Sequence, residues 1–415
     1  MVCPVMNKRP QAPASAEYPY QPIYRPWSWI LSSSTNLFLF AIVVGMAWML
    51  YKRRKARGRR RVVTYRRVNV NKTLLESENS TKINAVVTGG SGMLGREIVQ
   101  TLLTDGGYKV HSLDLFIPEE ENRNSEVCSY IQTDITNLDD LCIAIKGMDV
   151  VFHTAAILPT VIGAKNGDFD WVNLKGTENV ITACKKGKVK RLIYTSSVDV
   201  VMGKGAKNRL ENADEDYPFP CESLNAYVRT KRSAENAVLA ANGEDNLTTS
   251  AIRPGGMLEF IIRYKLDRPF YMGEKGLFYP AVSCEDVAKV HLQLDKVLLN
   301  QREVAAGKVF IISTTISERE LAETVARELG DGQVAESLSM GLYTLLTYIN
   351  VACYFLTGTT PVHPQMTVMT LDFMNLPPHT FSSARAQREL GWKQTPWEDT
   401  VKKAVKDWKE TKKNK

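Results

Sequence analysis

From Lys82 onward, short runs of β-branched and aliphatic residues alternate with longer stretches whose apolar positions recur every three or four residues. KINAVVTG, YKVHSLDL, MDVVFHTA, VKRLIYTS and LTTSAIRP have the length and composition of buried strands, with a further strand expected just before Asp134. GREIVQTLL, NLDDLCIAIK and NLKGTENVITACKK, which lie between them, carry the helical period. Strands and helices taking turns predict an α/β fold, a doubly wound parallel sheet covered by helices on both faces. Residues 82–415 form this body, with a smaller C-terminal substrate-binding region.

The first 81 residues follow other rules. Residues 1–26 are rich in Pro, Tyr and Ala without periodicity, so a disordered tail is expected. Trp27 to Tyr51 is a run of 25 residues without a charge, densest at Leu37–Leu50 and with aromatics at both ends. It is long enough for a single N-terminal transmembrane helix, residues 27–51. Ten basic residues between Lys52 and Arg67 come next, making 52–81 a basic juxtamembrane linker. A cleaved signal peptide would need a leading charge beside the apolar run and a small-residue cleavage site, and a buried core helix would leave the arginines unexplained. The positive-inside bias then predicts a single-pass protein of the endoplasmic reticulum membrane, its catalytic domain facing the cytosol.

Charge changes the picture only through its distribution. Residues 1–67 hold 13 of the 53 Lys and Arg but only one acidic residue, Glu17, which leaves 40 positive against 44 negative charges in the rest. The net charge of +8 therefore belongs to the N-terminal segment, and no nucleic-acid partner is indicated. Seven cysteines without CxxC spacing argue against a zinc site and against a disulfide framework, so no metal is expected.

The first strand ends in Thr88-Gly89-Gly90-Ser91-Gly92-Met93-Leu94-Gly95 and runs straight into a helix. Glycines there let the backbone approach a pyrophosphate, and the helix N-terminus offers free amides to its charge. Gly89, Gly92, Met93, Leu94 and Gly95 are the expected cradle of a Rossmann-type dinucleotide site. Asp114 ends the second strand 25 residues after Gly89, where a carboxylate accepts the adenosine ribose hydroxyls. It would repel a 2′-phosphate and no arginine stands after it, so the expected cofactor is NAD. Asp134, Ile135 and Ala155 come after the third and fourth strands, where adenine and ribose would be reached.

Tyr227 and Lys231 stand four residues apart, hence on one helical face. A phenol is a weak base near neutrality, and an adjacent ammonium stabilises the phenolate and draws it towards a working range. Ser197 ends a strand 30 residues before Tyr227. The three together are the expected catalytic group. His153 also comes after an apolar strand, where a packed imidazole is the commoner outcome than a base.

With these residues in place, the sequence resembles the extended short-chain dehydrogenases and, within them, the 3β-hydroxysteroid dehydrogenase family. The resemblance runs from about Lys82 to Trp408. It is carried by TGGSGMLG at 88–95, HTAA at 153–156, VNLKGT at 172–177, YTSS at 194–197, YVRTK at 227–231, ENAVLAANG at 235–243, IRPGG at 252–256 and DVAKVH at 286–291. It implies that Tyr227 is the acid/base, that Lys231 binds the nicotinamide ribose and lowers the tyrosine pKa, and that Ser197 holds the substrate oxygen. Asn173 would brace the cofactor side, and Pro254 would line the nicotinamide pocket. The implied reaction is NAD-dependent oxidation of the 3β-hydroxyl of a lipophilic steroid or sterol, with Δ5–Δ4 isomerisation as one continuation. Decarboxylation of a sterol 4-carboxylate stays open as the other, because a β-keto acid loses carbon dioxide with little further help. A homodimer is compatible with the resemblance. A non-catalytic, membrane-tethered NAD-binding scaffold is the reading from another class, against which the intact Tyr227, Lys231 and Ser197 weigh.

Residues 341–357, GLYTLLTYINVACYFLT, carry no charge and place Leu342, Leu345, Leu346, Ile349, Cys353 and Leu356 at helical spacing. The segment is short for a span. An interfacial helix lying on the bilayer is expected, with a packed core helix as the alternative.

Overall fold

The computed structural model describes residues 82–413, apart from 119–127, 206–208, 267–268, 273–276, 331–334 and 364–365. The expected tail at 1–26, membrane span at 27–51 and basic linker at 52–81 lie outside the described residues.

Seven strands form the central sheet: β1 (Ile83–Thr88), β2 (Tyr108–Asp114), β3 (Cys128–Gln132), β4 (Val150–His153), β5 (Arg191–Thr195), β6 (Thr248–Pro254) and β7 (Val309–Ile312). Their spatial order is β7-β6-β5-β4-β1-β2-β3, and every neighbouring pair is parallel. The order reverses between β1 and β4, so the crevice for a ligand opens at their carboxyl ends. β4 and β5 are buried along their whole length, as strands covered on both faces must be. One apolar core lies on each side of the sheet, one centred on Val87, Phe152 and Phe310, the other on Val86, Leu192 and Tyr194. β7 is the strand the sequence pattern did not single out; its four apolar residues sit between Lys308 and Ser313, too short a run to show a period.

The helices that frame the site are α1 (Met93–Asp105), α2 (Leu138–Ile145), α3 (Gly176–Gly187), α4 (Ala226–Ala240), α5 (Cys284–Asn300), α6 (Glu318–Leu329), α7 (Met340–Thr357), α8 (Val368–Met374) and α9 (Trp397–Lys413). Asn225 caps α4 by accepting the Val228 amide at 3.1 Å, which fixes where the helix begins and hence where Tyr227 points. A π-helical turn, Asp170–Lys175, leads into α3 where the sequence pattern shows only continuous helix. The smaller C-terminal region combines a three-stranded sheet (Gly256–Met257, Phe278–Val282, Thr314–Ser317) and two two-stranded ribbons with α6 to α9.

Helix α7 is inverted relative to a core helix. Its buried face is Tyr343, Thr347, Asn350, Cys353 and Thr357, while Leu342, Leu345, Phe355 and Leu356 are exposed, Phe355 to 71%. The polar atoms on the inner face are satisfied. Asn350 donates to the carbonyls of His363 (2.6 Å) and Met366 (3.2 Å) and accepts from the Val362 amide at 3.1 Å. Of the predicted stripe, Leu342, Leu345 and Leu356 face outward while Leu346 and Cys353 pack inward, so the helix is packed along one face and apolar along the other.

Candidate active site

The nucleotide cradle is built by close approach of backbones. Gly89 adopts φ +71°, and its amide and that of Gly90 both donate to the Leu113 carbonyl, at 2.7 and 3.2 Å. A Cβ on Gly95 would lie 2.0 Å from the Gly89 carbonyl oxygen, so only glycine lets α1 start this close to the loop. No side chain caps the N-terminus of α1 and its first turn holds no acidic residue, so Met93 and Leu94 present a helix end suited to an anion. Asp114 is bound into the same loop: one carboxylate oxygen accepts the Ser91 amide at 3.0 Å, the other that of Phe116 at 3.2 Å. A carboxylate held at this edge receives ribose hydroxyls and repels a 2′-phosphate; the residues present fit NAD.

The remaining cofactor positions are distributed around that cradle. Ala155 packs against Gly89, and its amide reaches Thr88 Oγ1 at 3.4 Å. Asp134 is exposed and turned to its own loop, accepting the amide and hydroxyl of Thr136 at 2.8 Å each. Ile135 is buried against Gly176. Asn173 lies in the π-helical turn, fully buried, and grips the backbone of Ile157 at both ends, accepting its amide at 2.7 Å and donating to its carbonyl at 3.0 Å. Pro254 closes β6 beside Ile312 of β7.

His153 is a brace and not a base. Thr177 Oγ1 donates to the Asn173 carbonyl at 2.7 Å, so it must accept from His153 Nε2 at 2.9 Å, which leaves Nδ1 to accept the Thr88 hydroxyl at 2.7 Å. Both ring nitrogens are used and burial pushes the pKa down to about 3, so the imidazole stays neutral.

Tyr227, Lys231 and Ser197 are brought together, each at least nine-tenths buried. Tyr227 stands edge-on to Phe169 and Phe373, with ring centroids 6.5 and 6.4 Å away, and Ile157, Ala164 and Met369 complete an apolar wall around it. Burial holds the phenol above its ordinary pKa, as does the nearby carboxyl of Asp199, while Ser197 works in the opposite direction. Lys231 donates to the Thr195 carbonyl and sits 4.4 Å over the Tyr194 ring. Burial lowers its pKa to about 7, opposed by the Glu235 carboxylate one turn further along α4. The expected lowering of Tyr227 by Lys231 is not what the structure shows: the ammonium is bound to the Thr195 carbonyl, and the desolvation that gives the pair a dry setting disfavours both charged forms.

Three features escaped the sequence reading. Asp199, two residues past Ser197, accepts the Ser197 hydroxyl at 3.0 Å; its place in YTSSVD was visible, its role was not. Phe373 and Met369 come from α8, about 140 residues beyond Tyr227 in the chain, and no local pattern announces that contact. Glu235 forms a bidentate pair with Arg253, at 2.9 and 2.6 Å, with both side chains buried. That pair locks α4 to β6 one residue before Pro254.

A dinucleotide cradle at the β1/β4 crevice and a Ser–Tyr–Lys group beside it define a short-chain dehydrogenase/reductase. The chain belongs, within that class, to the 3-beta hydroxysteroid dehydrogenase/isomerase family, whose family model matches residues 86–339. It is 30% identical over 351 residues to the 3beta-hydroxysteroid-dehydrogenase/decarboxylase isoform 1 of Arabidopsis thaliana, a match covering 77% of this chain and 78% of that one. It is 40% identical over 177 residues to a 3 beta-hydroxysteroid dehydrogenase/Delta 5→4-isomerase of Mycobacterium tuberculosis, covering 41% of this chain and 46% of the relative. In fold it is similar to a UDP-glucose 4-epimerase of Thermotoga maritima, with a TM-score of 0.61 at 18% identity over 79% of this chain and 99% of that one. The protein is an oxidoreductase of the 3β-hydroxysteroid dehydrogenase kind.

Proposed function

We propose that this chain oxidises the 3β-hydroxyl of a steroid or sterol to the ketone, with NAD as acceptor, while lying on a bilayer. The observation that carries the reading is the setting of Tyr227, an acid/base group flanked by Ser197 and Lys231 and walled by Phe169, Phe373, Met369 and Ile157. A polycyclic apolar alcohol suits such a wall, and a sugar nucleotide does not. Ser197 orients the alcohol oxygen and Tyr227 removes its proton. Lys231 and Asp114 hold the ribose hydroxyls, and the amides at the start of α1 receive the pyrophosphate. The nicotinamide supplies the hydride acceptor.

A second reading concerns the fate of the 3-ketone. Similarity over most of the chain to a plant protein named as a dehydrogenase/decarboxylase favours a sterol bearing a 4-carboxylate. The ketone would then draw the electrons of the breaking C4–carboxylate bond into an enolate, carbon dioxide would leave and a proton would take its place. Incubation with NAD and a panel of 3β-hydroxy-Δ5 steroids and 4-carboxysterols, with products identified by mass spectrometry, separates the two. Loss of two hydrogens is expected from the former, and additional loss of carbon dioxide from the latter. No NADH from any member would overturn the reading.

Membrane placement rests on two features. The uncharged stretch Trp27–Tyr51 meets ten basic residues, a charge step that favours a lumenal tail and a cytosolic body at the endoplasmic reticulum. Helix α7, 18 residues at mean hydropathy 1.3, turns Leu342, Leu345, Phe355 and Leu356 outward. Its length of about 27 Å falls short of a hydrocarbon core of about 30 Å, and its inner face is bonded to the body, so it lies on the surface as an entry for membrane-dissolved substrate. Protease access to the body in sealed microsomes tests the orientation; full protection would refute it.

A further inference from the structure

Tyr227 is buried, so a polycyclic alcohol reaches it only where two elements of its apolar wall part. The wall has three pieces: Phe169, the loop 157–164 with Ile157 and Ala164, and α8 with Met369 and Phe373. Phe169 is held fast. Its short helix, Asn166–Phe169, continues through the π-helical turn into α3, and its neighbour Asp170 forms a bidentate pair with Arg229 of α4 at 2.6 and 3.0 Å. The loop has no regular structure and α8 is only 7 residues long. These two meet across a seam bridged by Thr367 Oγ1, which donates to the Pro159 carbonyl at 2.8 Å. A neutral hydrogen bond of this kind is the weaker closure.

The two elements that flank the seam also carry apolar residues on their outer side. Leu158 and Val161 of the loop are 43% and 50% exposed, and Val368 at the start of α8 is 44% exposed. Both elements are fastened to α7. Gly163 lies so close to Tyr354 that a Cβ on it would be 2.8 Å from the ring, and Leu371 of α8 packs with Tyr343. Val362, also exposed, gives its amide to Asn350. The outer side of the seam therefore adjoins the C-terminal half of α7, where Phe355 and Leu356 look outward.

Charge separates the possible occupants of this surface. Residues 154–164 and 340–371 contain no Asp, Glu, Lys or Arg, where the chain average of 24% would place about eight in the longer stretch alone. A protein partner meets a surface with a polar rim and an enrichment in arginine. Hydrocarbon excludes charge from every element that touches it. An uncharged surface shared by α7, the loop and α8 has the character of the second and not of the first.

We infer that the bilayer-contacting surface runs from α7 over Leu158, Val161, Val362 and Val368, so that the mouth of the active site opens into lipid and not into water. The steroid or sterol passes from the acyl-chain region to Tyr227 through the seam between the loop 157–164 and α8. Leu158 and Val368 border that passage from outside, and Ile157 and Met369, the next residue of each element, border it from inside. The inference deepens the reading of the protein as a membrane-bound dehydrogenase and rests on it.

The test uses the full chain on phosphatidylcholine vesicles. In a background of Cys3→Ser and Cys221→Ser, Val161→Cys, Val368→Cys and, as a control, Leu299→Cys at the end of α5 are each labelled with the fluorophore NBD. Lipids carrying a doxyl group on the acyl chain should quench the labels at 161 and 368 and spare the control. Quenching no stronger than at 299 would overturn the surface. Shielding from aqueous iodide without quenching by lipid would also overturn it, by assigning the surface to the segment Trp27–Tyr51 or to a second copy of the chain.

The passage is tested by turnover of the best steroid of the panel dissolved in the same vesicles. Leu158→Asp combined with Val368→Asp should raise KM for the steroid about tenfold, a small part of the cost of a charge in hydrocarbon, with kcat and KM for NAD within about twofold. Leu342→Asp combined with Leu345→Asp, at the other end of α7, should leave the steroid KM within about twofold of wild type once flotation shows the enzyme bound. NAD binding verifies that each variant is folded. An unchanged KM in the seam pair, or an equal rise in both pairs, would overturn the passage. Wild type that turns over no steroid would instead sink the dehydrogenase reading, and lipid quenching would still decide the surface.

Discussion

Replacing Lys231 by methionine should destroy turnover and yet stabilise the protein, by an amount that depends on pH in a defined direction. The ammonium is 3% exposed, and its contacts are the Thr195 carbonyl and the Tyr194 ring. Glu235, which favours its charge, already has both oxygens engaged by Arg253. Burial accordingly brings the pKa from 10.5 to about 7. Above pH 7 the unfolded chain binds a proton that the folded chain does not, so this lysine makes wild-type stability rise with pH, by up to about 1.4 kcal/mol per unit, until pH reaches the unfolded value. Below pH 7 both states carry the proton, and the cost of burying the charge is at its full value. Methionine is unbranched, one heavy atom shorter, and carries no charge. The stability gap between Lys231→Met and wild type should therefore be largest at pH 6 and narrow by about 2 kcal/mol between pH 7 and pH 9. Urea unfolding of both proteins at pH 6, 7, 8 and 9, followed by intrinsic fluorescence, measures it. A gap that stays constant across that range, or one that widens with pH, would refute the argument that desolvation governs this lysine.

Four further outcomes are expected. Gly95→Ala pushes a methyl against the Gly89 carbonyl, and overpacking of about 1–3 kcal/mol should weaken NAD binding, read by titration, at least tenfold or prevent folding. Asp114→Ala should narrow the ratio of kcat/KM for NAD over NADP by about tenfold, as expected for one lost hydrogen bond to a charged group; an unchanged ratio would place Asp114 away from the ribose. Glu235→Gln leaves Arg253 buried without a counter-charge and should cost about 3–5 kcal/mol in urea unfolding, whereas Glu235→Leu combined with Arg253→Met should recover most of it. Deleting residues 1–51 should leave part of the protein in the membrane fraction, and adding Leu345→Asp with Phe355→Asp should release it, as judged by vesicle flotation.

How much of this was legible in the sequence depends on how local each signal is. The glycine turn, Asp114, Tyr227 and Lys231 could be read because their chemistry is written within a few residues of a strand end or along one helical face. β7 could not be singled out, because four apolar residues carry no period of their own. The wall around Tyr227 was hidden for a different reason: Phe373 arrives from α8 through tertiary packing, which no window on the sequence contains. The helix at α7 was legible, but its predicted stripe splits between two faces, Leu342, Leu345 and Leu356 looking outward and Leu346 and Cys353 packing inward, because periodicity does not say which side of a helix the body covers. Its inner residues, Thr347 and Asn350, are satisfied by backbone groups of the helix itself and of Val362, His363 and Met366, a condition visible only after folding.

The π-helical turn at Asp170–Lys175 has a consequence for helix phase. One residue is about 100° of rotation in an α-helix, so a turn that accommodates one extra residue lets the segments on either side keep independent orientations. Upstream, Phe169 addresses Tyr227; downstream, Val180, Ala183 and Cys184 address the sheet; between them, Asn173 points at the Ile157 backbone. Removing any single residue from the turn would restore a regular helix and set the two faces out of step, so that either the aromatic wall or the sheet packing would have to be abandoned. Single-residue length changes in this stretch should consequently be far less tolerated than side-chain replacements at its exposed positions, Trp171 among them.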